Sequence, residues 1–365
     1  MQKIEKRSPG RVELLGNHTD YNEGWVLSFA TEHGITVLTK PRNDSTISLS
    51  SGAENATVSV SLDNISPRNS KEELWANYPL GVVAQFLKKG VCGCGFEMVF
   101  KSDLPSGAGL SSSAALECAT ARALQSLWGT SFSGMELARM CQAAEHGGVG
   151  VPCGLLDQIS SLFGVSGKIL FLDFRTLEIE MFPAPKNTVF ILAMSGVSHA
   201  LVAGEYNERR ESCHGAAKAL GIPFLRDISG GELETKAGLL TAKQLARARH
   251  VVGENGRVLR AKEALLGGDV AGFGQLMFES HESSKSLFEN SCPELDFLVD
   301  AARNIHGCFG ARLSGGGFGG ATINLVREDA LPVFESALRA AFEARYGRRL
   351  TTLVTRASGS DELLQ

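Results

Sequence analysis

Three glycine-flanked clusters and a pair of acids hold the residues with chemistry to offer. The first is Leu104-Pro105-Ser106-Gly107-Ala108-Gly109-Leu110-Ser111-Ser112-Ser113-Ala114-Ala115. Its glycines let backbone approach a bulky anion. The apolar spacing of Ala114, Ala115, Leu116, Ala119, Ala123, Leu124 and Leu127 predicts a helix opening where the serines stand. Free N–H groups and the positive end of the helix dipole then point together, which suits phosphate. No Gly-Lys-Ser/Thr follows, so the loop is not a Walker A motif, and Ser112 stands where a dinucleotide fingerprint needs its third glycine. The same residues also fit a plain Gly/Ser-rich helix cap.

The second cluster runs from Ser8 to Gly24 and packs Asn17, His18, Thr19, Asp20, Tyr21 and Asn22 between glycines. That density of donors and acceptors suits a sugar or polyol, and a solvated turn has the same composition. Glu145-His146 and Cys153-Gly154-Leu155-Leu156-Asp157-Gln158 place two acids, Glu145 and Asp157, on either side of a glycine-rich turn. One can hold a divalent cation and the other face a hydroxyl; helix capping by Asp157 and a surface place for Glu145 are the plainer reading. The third cluster, Leu313-Ser314-Gly315-Gly316-Gly317-Phe318-Gly319-Gly320, satisfies G-x-G-x-x-G only literally. A strand pattern follows it rather than a helix, and a hairpin turn fits equally.

The elements that position these clusters read as mixed. Strands are predicted at 35–38, 47–49, 58–62, 96–100, 168–174, 189–194, 311–313, 321–326 and 350–355. Helices are predicted at 74–87, 112–128, 134–146, 155–163, 205–220, 242–266, 270–288, 295–305 and 329–346. Pro183-Ala184-Pro185-Lys186-Asn187 breaks the periodicity, giving expected domains 1–184 and 185–365. Strands and helices in both parts argue for an α+β fold. With 365 residues, 43% hydrophobic and 21% charged, the composition is that of a globular enzyme. A net charge of −4 provides no basic field for nucleic acid. No apolar run reaches membrane-spanning length, and the N-terminal residues lack the apolar core of a signal peptide. Eight cysteines are too sparse for a disulfide scaffold, and the Cys92/Cys94 pair lacks a zinc partner pair. A cytoplasmic monomer is expected.

Together the clusters resemble the GHMP small-molecule kinases and, within them, the galactokinases. The run from Gly10 to Asn22 is similar to Gly-Arg-Val-Asn-Leu-Ile-Gly-Glu-His-Thr-Asp-Tyr-Asn, and the two later glycine loops match the other family motifs. The stretches 153–158, 247–254, 279–281 and 291–296 resemble the family as well. The resemblance implies a two-domain fold: a mixed-sheet N-terminal domain and a C-terminal domain of antiparallel sheet plus helices, with the active site in the cleft between. It implies ATP-dependent phosphorylation of the anomeric hydroxyl of a galactose-type sugar. Gly107, Ala108, Gly109, Leu110, Ser111, Ser112 and Ser113 would wrap the ATP phosphates, and Ser113 with Glu145 would hold Mg²⁺. Asp157 would act as base and Arg11 would offset charge. Asn17, His18, Thr19, Asp20, Gly154 and Tyr206 would bind the sugar. Two departures stand out. Asn17 occupies the place of the signature glutamate, and Ser198 that of a basic residue. The loss of a charged acceptor at Asn17 points to an alternative C6-altered substrate such as galacturonate. A non-catalytic sugar and ATP sensor is a second alternative, against which Gly109 to Ala115, Asp157 and Arg11 are all present.

Overall fold

The computed structural model describes residues 3–52, 54–105, 109–150, 153–197 and 202–359. Gly107, Ala108 and Ser198 lie outside them. The first part of the chain runs β1 (Ile4–Leu15), β2 (Trp25–Pro41), β3 (Thr46–Ser51), β4 (Ala56–Ser61), α1 (Asn77–Lys88), β5 (Phe96–Ser102), α2 (Ser112–Trp128), α3 (Gly134–Ala144), α4 (Leu156–Phe163), β6 (Lys168–Asp173) and β7 (Ile179–Pro183). The second runs β8 (Thr188–Met194), α5 (Val202–Leu220), α6 (Gly230–Thr235), α7 (Ala242–Gly267), α8 (Val270–Ser283), α9 (Pro293–Arg303), β9 (Cys308–Leu313), β10 (Ala321–Arg327), α10 (Leu331–Tyr346), β11 (Thr351–Thr355) and β12 (Ala357–Ser358).

Among the described residues the N-terminal sheet has the order β4-β3-β5-β2-β6-β7, with β1 and β12 also paired to β2. It is mixed because β3 pairs β5 in parallel. The second sheet, β11-β8-β10-β9, is antiparallel throughout. The fold is α+β, as expected. The expected boundary at 184/185 falls between β7 and β8, which belong to different sheets.

Two cores hold the site's scaffold. One buries α1 to α4 against the first sheet through Val83, Phe86, Ala119, Leu124, Leu137 and Ile159. The other lies between the sheets, where Val12, Leu14 and Phe29 meet Phe190, Leu192 and Ile323. Phe29 of β2 and Phe190 of β8 have ring centroids 4.7 Å apart. This shared apolar layer fixes the two halves against each other, and the candidate site opens beside it.

Candidate active site

β1 sets the geometry. Side chains alternate across a strand, so Arg11 and Glu13 share one face and Val12 takes the other. Val12 is fully buried in the inter-sheet core. Arg11 and Glu13 line a cavity of about 390 Å³. Arg11 Nε donates to Asp157 Oδ1 at 2.7 Å, and its Nη1 donates to the Gly109 carbonyl at 2.8 Å. The Arg11 amide donates to the Leu110 carbonyl at 3.1 Å. Ser111, in a left-handed conformation with φ of 52°, donates its hydroxyl to Asp157 Oδ2. Asp157 lies in the first turn of α4, where the helix dipole favours a carboxylate. The start of α2, the Arg11–Asp157 pair and the cavity therefore meet at one point. In the 109–113 turn, Leu110 is buried in the inter-sheet core while Gly109 and Ser112 are exposed.

Glu145 ends α3 at a π turn spanning Glu145–Val149. Its carboxylate lies beside the Ser113 hydroxyl, and Gln158 and Cys153 donate to Oε2 at 3.0 and 3.2 Å. Burial raises Glu145. Gln158 also donates to Glu117 Oε2 at 3.2 Å. Burial and then the charge of Glu145 push Glu117 up to about 10. The second Glu117 oxygen is buried with no partner. Ser113 and Glu145 are hard oxygen donors at the start of α2 and the end of α3, and this orphaned acceptor behind them marks a pocket short of positive charge. The residues fit Mg²⁺.

The polar run at 16–22 forms the opposite wall. Asp20, Gly154 and Tyr206 line the cavity. A Cβ at Gly154 would stand 2.2 Å from Asp20 Oδ2, so only glycine leaves that carboxylate in place. Burial, reinforced by the charges of Glu13 and Asp157 and opposed by a bond from the Tyr21 amide, raises Asp20 to about 6. His18 also lines the cavity, with both ring nitrogens engaged: Nδ1 lies 2.9 Å from the Tyr21 hydroxyl and Nε2 3.2 Å from the Gly316 carbonyl. Burial lowers it to about 3, so the ring is neutral. The carbonyl contact assigns the proton to Nε2, and Nδ1 accepts from Tyr21. Thr19 stands behind the wall, with its hydroxyl 2.7 and 2.8 Å from the Gly16 and Trp25 carbonyls. It shapes the turn rather than facing the cavity. Asn17 touches the cavity, but its Nδ2 donates to Glu13 Oε1 at 3.1 Å and the Gly315 carbonyl at 2.7 Å. Its Oδ1 accepts from Asn290 at 2.8 Å.

The late glycine loop closes the β9–β10 hairpin and supplies the carbonyls that His18 and Asn17 use. Gly317, at φ of 85°, has no room for a side chain: a Cβ would stand 2.1 Å from the Asn290 carbonyl oxygen.

Comparisons with known proteins agree with this geometry. The profile for the galactokinase galactose-binding signature matches residues 4–41, that for the GHMP kinase N-terminal domain matches 77–165, and that for the GHMP kinase C-terminal region matches 261–344. A galactokinase of Roseiflexus sp. (strain RS-1) is 41% identical over 96% of this chain and 90% of its own length. The human galactokinase is 41% identical over 98% of this chain and 91% of its own. The chain belongs to the galactokinase family of GHMP kinases. A crystal structure of Lactococcus lactis galactokinase complexed with galactose superposes with a TM-score of 0.94 at 33% identity, covering 99% of this chain and 95% of that one.

Membership of the galactokinases does not favour the galacturonate alternative raised by Asn17. The Asn17 amide is consumed by protein partners, and the Glu13 carboxylate stands 3.1 Å away, so negative charge on this flank is retained. The galactokinase relatives do not favour the sensor alternative either. Four buried groups escape the sequence reading: Glu13, Glu117, Glu254 and Arg312. For Glu13 a signal existed, since strand alternation from Arg11 reaches it. The others sit on helices or a strand whose partners lie far away in sequence.

Proposed function

We propose that this chain transfers the γ-phosphoryl group of ATP to the anomeric hydroxyl of galactose, giving the sugar 1-phosphate and ADP. The observation that carries the reading is the Arg11–Asp157 pair, 2.7 Å apart, facing a cavity walled by Asp20, Gly154 and Tyr206 at the start of α2. The sugar O1 forms a bond to the γ-phosphorus, and the bond from phosphorus to the ADP oxygen breaks. The O1 proton passes to Asp157. Arg11 keeps Asp157 oriented and offsets charge on the transferring group. Such transfer depends mainly on positioning and electrostatics. Asp20 accepts from ring hydroxyls, Tyr206 covers a face of the sugar, and His18 and Asn17 hold the wall. The 109–113 turn and the first amides of α2 receive the phosphates. Ser113 and Glu145 would hold Mg²⁺, which would neutralise charge on the phosphate oxygens. The parts 1–184 and 185–365 act as two domains with the ligands between them.

No helix among the described residues is long and apolar enough to cross a membrane. All eight cysteines are free, with Cys92 and Cys94 exposed, which supports a reducing cytoplasmic setting. A monomer is proposed, and light scattering on the eluting protein tests it. The reaction is tested by coupled ADP release with galactose, galacturonate, N-acetylgalactosamine, fucose, glucose and arabinose, and by phosphorus NMR of the product. Galactose is expected to lead, with phosphate on C1. No ADP with galactose, or phosphate on another carbon, overturns the reading.

A further inference from the structure

We propose that Glu13 is a specificity-determining residue that accepts a hydrogen bond through Oε2 from a sugar hydroxyl across the ring from the reacting carbon. The proposal rests on the cavity being the sugar site. Glu13 is only 6% exposed. Its Oε1 accepts from Asn17 Nδ2 at 3.1 Å and from Arg312 Nη1 at 3.1 Å. Its Oε2 has no donor among the described residues, is not sealed from solvent, and belongs to a residue lining the cavity. Arg312 is fully buried and also bonds the Leu14 carbonyl at 3.2 Å, so the carboxylate is held from behind in one orientation. A fixed carboxylate with one open oxygen in a concave, partly dry site is a strong hydroxyl acceptor.

Its position says which part of the sugar it meets. Arg11 and Glu13 are two residues apart on β1, about 7 Å along the strand. With the anomeric hydroxyl beside Asp157 and Arg11, Glu13 faces the opposite edge of a hexose ring, where the C4 and C6 hydroxyls lie. The sequence adds an independent observation. The family signature carries Asn at the place of Glu13 and Glu at the place of Asn17. Here the two are exchanged, and the exchanged side chains touch. Acid and amide are both kept with their order reversed, so the charged acceptor has moved within the site.

The test uses the full-length protein and compares kcat/KM for galactose with that for 2-, 4- and 6-deoxygalactose. Because Glu13→Gln leaves Arg312 without its counter-ion, Glu13→Asp is measured alongside it. The aspartate keeps the charge and withdraws the open oxygen by one methylene. In the native protein the analogue lacking the bonded hydroxyl is disfavoured by roughly 10- to 100-fold. In the folded variant that preference collapses towards unity for the 4- or the 6-deoxy sugar, while the ratio for the 2-deoxy sugar is unchanged. An equal loss on all four sugars, or an unchanged ratio, overturns the proposal. Failure of the native protein to use galactose would instead overturn the assignment of the cavity.

Discussion

If Asp157 is the base proposed above, replacing it by Asn separates holding the sugar from moving its proton. Asp157 Oδ1 accepts from Arg11 Nε at 2.7 Å, and Oδ2 accepts from Ser111. An asparagine oriented with its oxygen towards Arg11 keeps the first bond. Its Nδ2 then faces the Ser111 hydroxyl, which rotates to accept. The fold and the mouth of the cavity therefore survive, and the Arg11 guanidinium keeps its bond to the Gly109 carbonyl at 2.8 Å. The proton acceptor and one negative charge beside Arg11 are lost. A positioned base contributes about 10²–10⁴ in rate. The loose character of phosphoryl transfer places the expected fall in kcat towards the lower half of that range. Calorimetry with galactose should show a Kd changed only a few-fold, roughly 1 kcal/mol or less for exchanging one acceptor oxygen for a neutral donor. Coupled ADP release gives kcat, and circular dichroism confirms the fold. A folded Asp157→Asn protein with kcat within about threefold of native would refute the role of Asp157 as base.

Other outcomes follow from the same geometry. Asp20 is raised to about 6, so it gains a proton as the pH falls through that value and loses its charge as acceptor; KM for galactose should climb below pH 6, and Asp20→Asn should flatten that limb. Because the folded state binds this proton more tightly than the unfolded chain, the stability from Asp20 is full below about 4 and lost as the pH rises through about 6, which melting of native and Asp20→Asn proteins at pH 5 and 8 would reveal. Gly154→Ala pushes a methyl to within 2.2 Å of Asp20 Oδ2 and should raise KM by roughly 10-fold or more with a smaller effect on kcat. Phe29→Ala empties the contact with Phe190 and should cost about 3–5 kcal/mol in urea unfolding.

How far the sequence reveals this site depends on the range of the interactions involved. The helix expected at 112–128 is α2 to the residue, because its apolar spacing and its serine-rich opening are local signals. The helices expected at 134–146 and 270–288 end instead in π turns at Glu145–Val149 and Ser284–Phe288, a local rewinding that periodicity does not announce. β1 is absent from the predicted strands. Pro9 and Gly10 interrupt its alternation, and its irregular register between Pro9 and Arg11 allows both to be carried. Without β1, Arg11 and Glu13 are isolated letters. With it, they are neighbours on one face. α6, β7 and β12 also go unread.

The least legible part is what holds the cavity wall at 16–22 in shape. Glu254 of α7 accepts from the amides of Gly16 and Asn17 at 3.0 and 3.3 Å and from the Ser280 hydroxyl at 2.7 Å. It is fully buried and pairs with Arg257 at 2.6 Å. Burial alone would raise it, but Arg257 and Arg312 hold it well below the usual carboxylate range, so it stays ionised. His250, one turn earlier, reaches the Asn17 carbonyl at 3.1 Å with Nε2. The wall is therefore built by the turn that follows β1 and braced by α7, which lies in the other half of the chain. A buried ion pair of this kind adds little net stability but is costly to break. Its effect here is to fix amide directions in a polar turn that hydrophobic packing could not specify. The turn residues announce the chemistry in the sequence, and the distant acid that orients them becomes visible only once α7 is packed against the turn.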